Sequence, residues 1–481
     1  MSNTSAAKNY IYNTIYKILS LLTPLITAPY LARVIGVEGV GTFSYTYAIS
    51  YNFCLLAKLG LMNYGSRSIA KARDNGNNLN RVFSEIYCLQ VLSTMIATTA
   101  YIIYIIFFAT KYNDILWINI LYVLGIAIDI DWLYYGMENF KSIATRNMLV
   151  KLMTVVLILI FVKEKDDLLI YAAIMTISEF IKFASIWIGV PKHVRLSKVK
   201  FKDILIHFKP TLILFVPVIA TSVYRLMDKI MLGSMSGMFS TGVYENSEKL
   251  IFLLMGFITS LEVVMMPRMS NLIENGRQKE AYDSISKSMS FVIALSSAMA
   301  FGIIGIRKQF IPWFYGEEFY DCVYLIPGLA ITLCFIAWAN VIRTQYIMPT
   351  EKDNIYVIST LVGAGINLVV NLALIPHYKA MGAVVGTVIA ELSVALFLSF
   401  VVRKKLPLLS YMKKCLFYII DGIIMAIIVD KIGQEINLGL GTIILQILVG
   451  AFIYISMAFI YIKFTQKDLY EHIKHRVKKR F

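Results

Sequence analysis

Charged residues are scarce in this sequence. They make up 16% of its 481 positions, against about a quarter in an average soluble domain. Hydrophobic residues make up 58%, and the mean hydropathy is +0.68. This balance excludes a string of ordinary soluble domains and favours a protein embedded in a lipid bilayer. The first apolar run has no small-residue cleavage site, so we expect it to remain as an uncleaved anchor.

Residues typical of catalytic and metal sites are also few. The five cysteines are scattered, mostly within apolar runs, and an odd number argues against a disulfide framework. The five histidines fall in loops, in the tail or at the ends of runs, without metal-ligand spacing. No G-x-S-x-G, H-E-x-x-H or C-x-x-C motif is present. We therefore expect no metal site, no cofactor and no enzymatic activity.

Long apolar runs fill most of the chain. A helix needs about 20 apolar residues to cross a bilayer, and these runs predict an all-α integral membrane protein with about 14 transmembrane helices. The predicted spans are 10–32, 41–62, 84–109, 115–136, 147–162, 168–190, 210–232, 244–266, 288–306, 322–347, 355–376, 381–402, 415–430 and 440–463.

The net charge of +16 reflects 46 Lys and Arg against 30 Asp and Glu. If the N-terminus is inside and the spans alternate, most of the basic residues face the cytoplasm, as in multi-pass proteins generally. The richest segments are 191–209, 403–414 and the tail 474–481. This predicts both termini in the cytoplasm and a tail that contacts anionic membrane lipids. The basic stretches are not interleaved with stacking aromatics, so we expect no nucleic acid partner.

The two halves of the sequence share four landmarks in the same order. They are the glycine clusters 36–41 and 233–242, Asn75-Gly76 and Asn275-Gly276, Glu138 and Glu351, and Glu179 and Glu391. The order predicts two pseudo-symmetric six-helix bundles, repeated in parallel, with two extra C-terminal helices. The predicted domains are the bundle 1–190, a basic cytoplasmic linker 191–209, the bundle 210–402, and the extra helices with the tail, 403–481.

The glycine cluster GVEGVG at 36–41 could also belong to a phosphate-binding loop. Such a loop needs a preceding strand, a following helix and usually a Gly-Lys-Ser/Thr sequence. Both flanks here are membrane-length apolar runs, and the Gly-Lys-Ser/Thr sequence is missing. The cluster therefore predicts a tight extracytoplasmic turn, where glycine tolerates the required φ.

Ionisable side chains within the spans cost about 2.5–3.5 kcal/mol each on insertion scales and usually face a cavity or a partner. Lys58 and Arg225 lie well inside their runs, and no acidic residue near Lys58 in the sequence neutralises it. We expect both in a water-filled cavity, where they would suit a phosphate group. On span two, Tyr47 and Tyr51 share a helix face with Lys58, and the three residues form a polar stripe. In span eight, Glu245 is expected to pair with Lys249.

Asp129-Ile130-Asp131 matches the D-x-D metal site of sugar-nucleotide transferases. Such a transferase would need a soluble nucleotide-binding domain, and the motif here lies in an apolar run. We therefore disfavour this interpretation.

The segment DIDWLYYGMENFKSIATRN at 129–147 resembles the signature of bacterial polysaccharide repeat-unit flippases of the O-antigen and capsule type. These form the polysaccharide transporter branch of the multidrug/oligosaccharidyl-lipid/polysaccharide exporter superfamily. Segments 8–13, 26–49 and 59–75 resemble the same family.

The resemblance implies two six-helix bundles around a cavity that opens alternately to each side of the bacterial cytoplasmic (inner) membrane. It implies an undecaprenyl-diphosphate-linked oligosaccharide as substrate, and coupling to a proton or sodium gradient without a cofactor. It also implies a polysaccharide polymerase and chain-length machinery as partners.

The resemblance also assigns roles to individual residues. The family's substrate-binding cations map onto Lys58 and Arg225, and more loosely onto Arg33 and Arg343, next to Tyr47 and Tyr51 of the polar stripe. The signature acids and base map onto Asp129, Asp131, Glu138 and Arg146, which are candidates for coupling or gating. Independently of the resemblance, the ionisable residues Asp228, Glu179 and Glu391 within other spans are further candidates.

Other functions remain open at this point. A cation-coupled multidrug exporter of the same superfamily would favour an acidic, aromatic cavity. A peptidoglycan-precursor flippase fits the 129–147 signature less well. A membrane polysaccharide polymerase or ligase would need a larger outside loop than 233–243 or 307–321.

Overall fold

The computed structural model describes residues 23–436 and 439–465. Within these residues the protein is helical and contains no β-strand, which confirms the all-α prediction. The segments 8–13 and 474–481, the first part of the first predicted span and the end of the predicted domain 403–481 lie outside the described residues.

Fifteen α-helices are described. The first nine are α1 (23–34), α2 (Gly36–Lys58), α3 (Leu61–Ala72), α4 (Gly76–Phe107), α5 (Asn113–Gly125), α6 (Asp131–Gly136), α7 (Phe140–Phe161), α8 (Leu168–Ser185) and α9 (Phe201–Met235). The others are α10 (Met238–Glu274), α11 (Gln278–Tyr315), α12 (Cys322–Ile342), α13 (Asp353–Val402), α14 (Leu408–Glu435) and α15 (Leu440–Thr465). A π-helical turn, Arg343–Ile347, and a 3-10 turn, Met348–Thr350, extend α12.

Eight of the described helical segments are long and apolar enough to cross a membrane. They are Gly76–Phe107, Asn113–Gly136, Phe140–Phe161, Lys165–Val190, Gln278–Tyr315, Cys322–Thr350, Asp353–Val402 and Leu440–Thr465. The protein is therefore a multi-pass membrane protein, while the count of fourteen spans stays a prediction.

The chain forms two compact units, Met1–Gly242 and Val243–Phe481. The first unit includes α9, whereas the sequence-based bundles divide at the basic linker 191–209. The predicted bundle limits stay a prediction.

Two buried clusters form the core of the first unit. One joins α2, α4, α5 and α8 around Tyr101, Tyr122 and Phe183. The other joins α3, α4 and α6 around Phe83 and Trp132. Lipid chains are as apolar as these side chains, so close van der Waals packing, and not removal from water, favours the contact of helix faces within a membrane.

The amphipathic helix α3 was not anticipated by the predicted span 41–62. Helix α2 ends at Lys58, because Leu59 and Gly60 both adopt left-handed backbone angles, with φ of 45° and 75°. The next helix packs closely against α6. A Cβ atom on Gly65 would lie 2.8 Å from the Trp132 ring, so this contact requires glycine.

The prediction that 36–41 is a tight turn was wrong. Only Gly36 has a left-handed φ, 68°, and the rest of the cluster belongs to α2. A Cβ atom on Gly41 would lie 1.9 Å from the carbonyl oxygen of Met238, and one on Gly242 would lie 2.1 Å from that of Val37. These glycines serve close backbone packing between α2 and the start of α10, which compensates the low helix propensity of glycine.

The predicted repeat has a geometric counterpart at Glu138 and Glu351. Both have φ of 57°. The amides of Glu138 and of Asn139 bond to carbonyls three and five residues back, and those of Glu351 and of Lys352 do the same. Each unit therefore contains the same Schellman-type helix end at the matching place.

The other landmarks agree less closely. Asn75 caps the start of α4 by accepting a hydrogen bond from the amide of Asn78, at 3.3 Å. Asn275 instead donates from its side chain to the carbonyl of Asn271 in the preceding turn, at 2.8 Å. The gap predicted between spans 355–376 and 381–402 is confirmed as a break in α13 at Lys379, with φ of 52°.

Candidate functional site

The signature segment lies where a membrane helix is interrupted. Membrane helix α5 ends at Gly125, a 3-10 turn covers Ile126–Ile128, and α6 begins at Asp131. Asp129 is extended, with φ of −79° and ψ of 92°. Backbone groups freed by such a break need other partners inside a membrane.

Gln90 of α4 supplies those partners. Its side-chain amide donates to the carbonyl oxygen of Asp129, at 2.7 Å, and to that of Ile126. Its carbonyl oxygen accepts from the indole N–H of Trp132, at 2.7 Å. Gln90 is buried, so one side chain stabilises both sides of the break. Its role was not predicted, although an amide side chain within an apolar run is a visible signal in the sequence.

Asp129 forms an ion pair with Lys58, the last residue of α2. The distance between Lys58 Nζ and Asp129 Oδ2 is 2.6 Å. Lys58 has no acid near it in the sequence, and its partner comes from the interrupted helix, 71 positions later in the chain. The Lys58 side chain is 38% exposed and that of Asp129 only 9%. The lysine can thus meet a second anion without leaving its position.

Asp131 has a different cation. Arg146 Nη1 and Nη2 donate to the two carboxylate oxygens of Asp131, at 2.8 and 3.0 Å. The remaining donors of Arg146 reach Asn147 Oδ1, at 3.1 Å from Nε and 2.6 Å from Nη2. This bidentate pair joins α6 to α7, and Arg146 is buried. Each carboxylate of the D-x-D sequence is thus engaged by its own cation, unlike the paired ligands of a metal site.

The side chains of Lys58 and Lys182 both contact the aromatic ring of Phe183. The ammonium groups of Lys58 and Lys182 lie 5.6 and 4.8 Å from the ring centroid of Phe183. Lys182 also pairs with Glu179 one turn earlier on α8. Two cations, each with a carboxylate partner, therefore stand over one buried ring. We call Lys58, Asp129, Glu179 and Lys182 the lysine–carboxylate cluster.

A row of tyrosines leads to this cluster. The ring centroids of Tyr47 and Tyr51 lie 5.9 Å apart, and those of Tyr47 and Tyr122 lie 5.7 Å apart. The hydroxyls of Tyr47 and Tyr122 are 3.4 Å apart. Tyr122 stacks in turn on Phe183, at 6.3 Å. The predicted polar stripe of α2 is thus one edge of a tyrosine row that ends at the two lysines.

The other predicted site residues lie on several helices of the two units. In the first unit, Arg33 of α1 donates to the carbonyl of Pro29, at 3.4 Å, and α9 carries an exposed Arg225 and a buried Asp228. In the second unit, Arg343 lies over the Tyr356 ring, at 5.0 Å, and Glu391 lies on α13.

Glu138 pairs with Arg73, at 2.8 Å, outside the spans. That hydrogen bond raises the pKa of the Arg73 guanidinium. The predicted pair of Glu245 and Lys249 is confirmed, at 3.0 Å.

A buried network at the start of α9 was also missed. Tyr64 Oη lies 2.7 Å from His207 Nδ1, and His207 Nε2 lies 2.8 Å from Glu85 Oε2. The histidines were expected to form no catalytic or metal constellation, and this hydrogen-bond network around His207 was not anticipated. The network joins α3, α4 and α9, and nothing in the local sequence of His207 reveals its two partners.

The comparison with protein families covers this whole site. The family described as "Polysaccharide biosynthesis protein" matches residues 6–273, more than half of the chain. The chain belongs to this family. The matched range includes the interrupted helix, the lysine–carboxylate cluster and the tyrosine row, whereas Arg343 and Glu391 lie beyond it.

Individual relatives are distant in sequence but cover most of the chain. A protein of Shigella dysenteriae named "Putative O-antigen transporter" is 23% identical over 385 residues, 78% of this chain and 95% of its own. A protein of the same name from Escherichia coli (strain K12) is 25% identical over 415 residues, 84% of this chain and 98% of its own.

Two solved structures show the fold. The lipid II flippase MurJ, in an inward closed conformation, aligns with a TM-score of 0.74 at 16% identity, covering 95% of this chain and 99% of that one. An inward-facing multidrug resistance MATE family transporter aligns with a TM-score of 0.57 at 15% identity, covering 82% and 98%. The protein therefore has the fold that these two transporters share.

Proposed function

We propose that the protein is a flippase for lipid-linked oligosaccharides, a secondary transporter and not an enzyme. It moves oligosaccharide repeat units carried on an isoprenoid diphosphate, of the undecaprenyl type, across the bacterial inner membrane. The observation that carries this proposal is the lysine–carboxylate cluster at the end of the tyrosine row. The family and the O-antigen transporter names of the relatives support it.

The lysine–carboxylate cluster can bind a diphosphate because each of its lysines is held by a carboxylate that a diphosphate can replace. Lys58 is paired with Asp129 in this structure, so an unpaired charge is avoided when no substrate is bound. A diphosphate carries more charge and more acceptor oxygens than one carboxylate, and it can replace Asp129 on the exposed side of Lys58. Lys182 offers a second ammonium beside the same ring. Binding is thus an exchange of one ion pair for another.

The tyrosine row can contact the sugars of the substrate. Tyr47 and Tyr51 are partly exposed, and each presents a ring face and a hydroxyl, which can donate and accept hydrogen bonds. Sugar rings would pass along these groups while the lipid chain stays in the bilayer. A polar path is required, because a hydrated head group must cross about 30 Å of hydrocarbon.

The interruption between α5 and α6 allows Asp129 to move away from Lys58. The carboxylate that holds Lys58 lies on extended backbone between α5 and α6, and not within a rigid helical turn. Displacing it from Lys58 needs local rotation only. We therefore assign Asp129 and Glu179 to gating or coupling, and Asp131 with Arg146 to fixing α6 against α7.

The same proposal has three further parts. Transport is coupled to a proton or sodium gradient, both termini lie in the cytoplasm, and the partners are a polysaccharide polymerase and its chain-length machinery.

A multidrug exporter is the second candidate, favoured by the likeness to the MATE transporter fold. The exposures of the Lys58–Asp129 pair argue against it, because the lysine side chain is 38% exposed and the acid only 9%, so the pair presents a cation and not an acid to a ligand.

Reconstituted protein distinguishes the candidates. Proteoliposomes would be loaded with a fluorescent undecaprenyl-diphosphate oligosaccharide or with a cationic dye, with and without an imposed proton or sodium gradient. We expect transbilayer movement of the lipid-linked sugar and none of the dye. Movement of the dye alone would favour the exporter and contradict the proposal. The Lys163→Ala variant, altered at an exposed loop residue, should behave as the unmodified protein.

A further inference from the structure

Asp421 is an acidic side chain at the middle of a membrane-length helix. It lies close to the centre of α14, which runs from Leu408 to Glu435, about 20 Å from either end at 1.5 Å per residue. Its exposed fraction is 0%. In the sequence-based repeat, α14 belongs to the two helices that have no counterpart in either half.

No cation pairs with Asp421 among residues 23–436 and 439–465. In the described part of the chain, neither carboxylate oxygen has a hydrogen-bond partner. The nearest basic residues of the neighbouring α11, Arg307 and Lys308, instead pair with Asp430 at 3.7 and 3.0 Å. Those pairs lie more than two helical turns further along α14. Nothing described here neutralises the Asp421 carboxylate.

The helices packed around Asp421 present few titratable groups. On α11, the facing stretch 291–304 has none, and its Phe301 ring packs on Gly422. From α15, Tyr454 approaches and donates to the carbonyl of Ala294, at 2.7 Å. Tyr418 lies one turn earlier on α14 itself. Both tyrosines are ordinarily neutral, so they offer no positive charge.

An isolated carboxylate in such a place is too costly to remain charged. Moving an unpaired ion into a low-dielectric interior costs several kcal/mol even after relaxation, and the group takes up a proton instead. A neutral carboxyl costs much less, but it still costs more than an apolar residue of similar size. A fully buried ionisable residue in the middle of the predicted span 415–430 therefore indicates a function.

We propose that Asp421 is a proton-binding site of the transport cycle. In the enclosed state seen here, the carboxylate has bound one proton to form a carboxyl group. When α14 separates from α11 and α15 and water enters, the carboxyl releases that proton to the side then accessible. One proton is bound from one side and one released to the other in each cycle. This inference rests on the proposed function as a transporter.

Infrared spectroscopy tests the protonation without any transport. The purified protein in lipid would be compared with Asp421→Asn in the carbonyl-stretch region of protonated carboxyl groups, over a range of pH. We expect a carboxyl band at neutral pH that is lost in Asp421→Asn and kept in Glu435→Gln, which changes an exposed carboxylate on the same helix. Identical spectra for the unmodified protein and Asp421→Asn would overturn the proposal.

Transport under a gradient tests the role. If one proton is exchanged per cycle, one pH unit shifts the distribution of the lipid-linked oligosaccharide by up to about tenfold. We expect Asp421→Asn to keep downhill movement of the fluorescent substrate and to lose this shift, and Glu435→Gln to keep both. An unchanged shift in Asp421→Asn, or a shift driven by sodium alone, would overturn the role. Absence of substrate movement in the unmodified protein would instead overturn the flippase function, so the two failures are distinct.

Discussion

The Lys58 ammonium lies 2.6 Å from the Asp129 carboxylate, where helix α2 ends and the membrane-length helix of α5 and α6 is interrupted. The pair joins a partly exposed cation to an acid on extended backbone. A substrate diphosphate can therefore compete for Lys58 without first unpacking a helix.

Arg146 and Asp131 hold the interrupted helix in place. Arg146→Lys keeps the charge but loses the bidentate fork, and Arg146→Ala leaves a largely buried carboxylate unpaired. We expect the alanine variant to lose about 3 kcal/mol of stability and the lysine variant to lose less. Thermal unfolding of the detergent-solubilised protein measures both. Arg195→Lys, at an exposed side chain, is the control, and equal stability in all variants would contradict the assignment.

Gln90 stabilises both sides of the helix break. Gln90→Leu has a similar volume but leaves two carbonyl oxygens and the Trp132 indole N–H without partners. Each buried unpaired group costs about 1–3 kcal/mol, so we expect a loss of about 3 kcal/mol or more. Gln434→Leu removes an exposed glutamine as a matched control. Unfolding transitions that coincide for the two variants would show that the break does not depend on Gln90.

Gly41 allows the backbones of α2 and the start of α10 to meet. In Gly41→Ala the new methyl group would lie 1.9 Å from the Met238 carbonyl oxygen, a contact that forces the helices apart. We expect a strong loss of folded protein, because overpacking alone costs about 1–3 kcal/mol and here the obstacle is backbone. Gly76→Ala has open space around its methyl group and is the control. The yield of monodisperse protein measures the effect, and tolerance of alanine at position 41 would refute the close packing.

The sequence predicts the membrane fold and part of its internal symmetry. Apolar runs in the sequence predict the positions of most helices. The predicted correspondence of Glu138 and Glu351 is matched by a common φ of 57° in the structure. Both acids follow apolar runs of similar length, which is a local signal. The glycine cluster 36–41 was wrongly predicted as a turn, because the backbone against which it packs, at Met238 and Gly242, is about 200 residues away in the chain.

The site was predictable in its residues but not in its pairing. Lys58 and Asp129 were both identified as unusual within apolar runs. Which acid faces which cation depends on how α2 packs on the interrupted helix, and hydropathy averaged over a window does not reveal such a break. The Tyr64–His207–Glu85 network has the same origin, since its members come from three helices.

The tyrosine row should determine how well sugars pass. Replacing Tyr47 and Tyr51 together by alanine removes two partly exposed rings, worth about 1–3 kcal/mol in contact with substrate. We expect about a tenfold or larger drop in transport of a long lipid-linked oligosaccharide, and a smaller drop for a lipid diphosphate bearing one sugar. Tyr324→Ala, at a 61% exposed ring in the second unit, is the control. An equal effect on both substrates would mean that the row does not contact the sugars.

The central claim is that Lys58 holds the diphosphate in exchange with Asp129. The most direct measurement is the rate of transbilayer movement of fluorescent undecaprenyl-diphosphate oligosaccharide by Lys58→Ala, Asp129→Asn and the charge-swapped Lys58→Asp/Asp129→Lys protein, each shown to be folded by its thermal transition. We predict that Lys58→Ala abolishes movement, and that Asp129→Asn binds the lipid more tightly but releases it more slowly. The swapped protein should recover stability without recovering transport. Movement at the unmodified rate in Lys58→Ala would contradict the account.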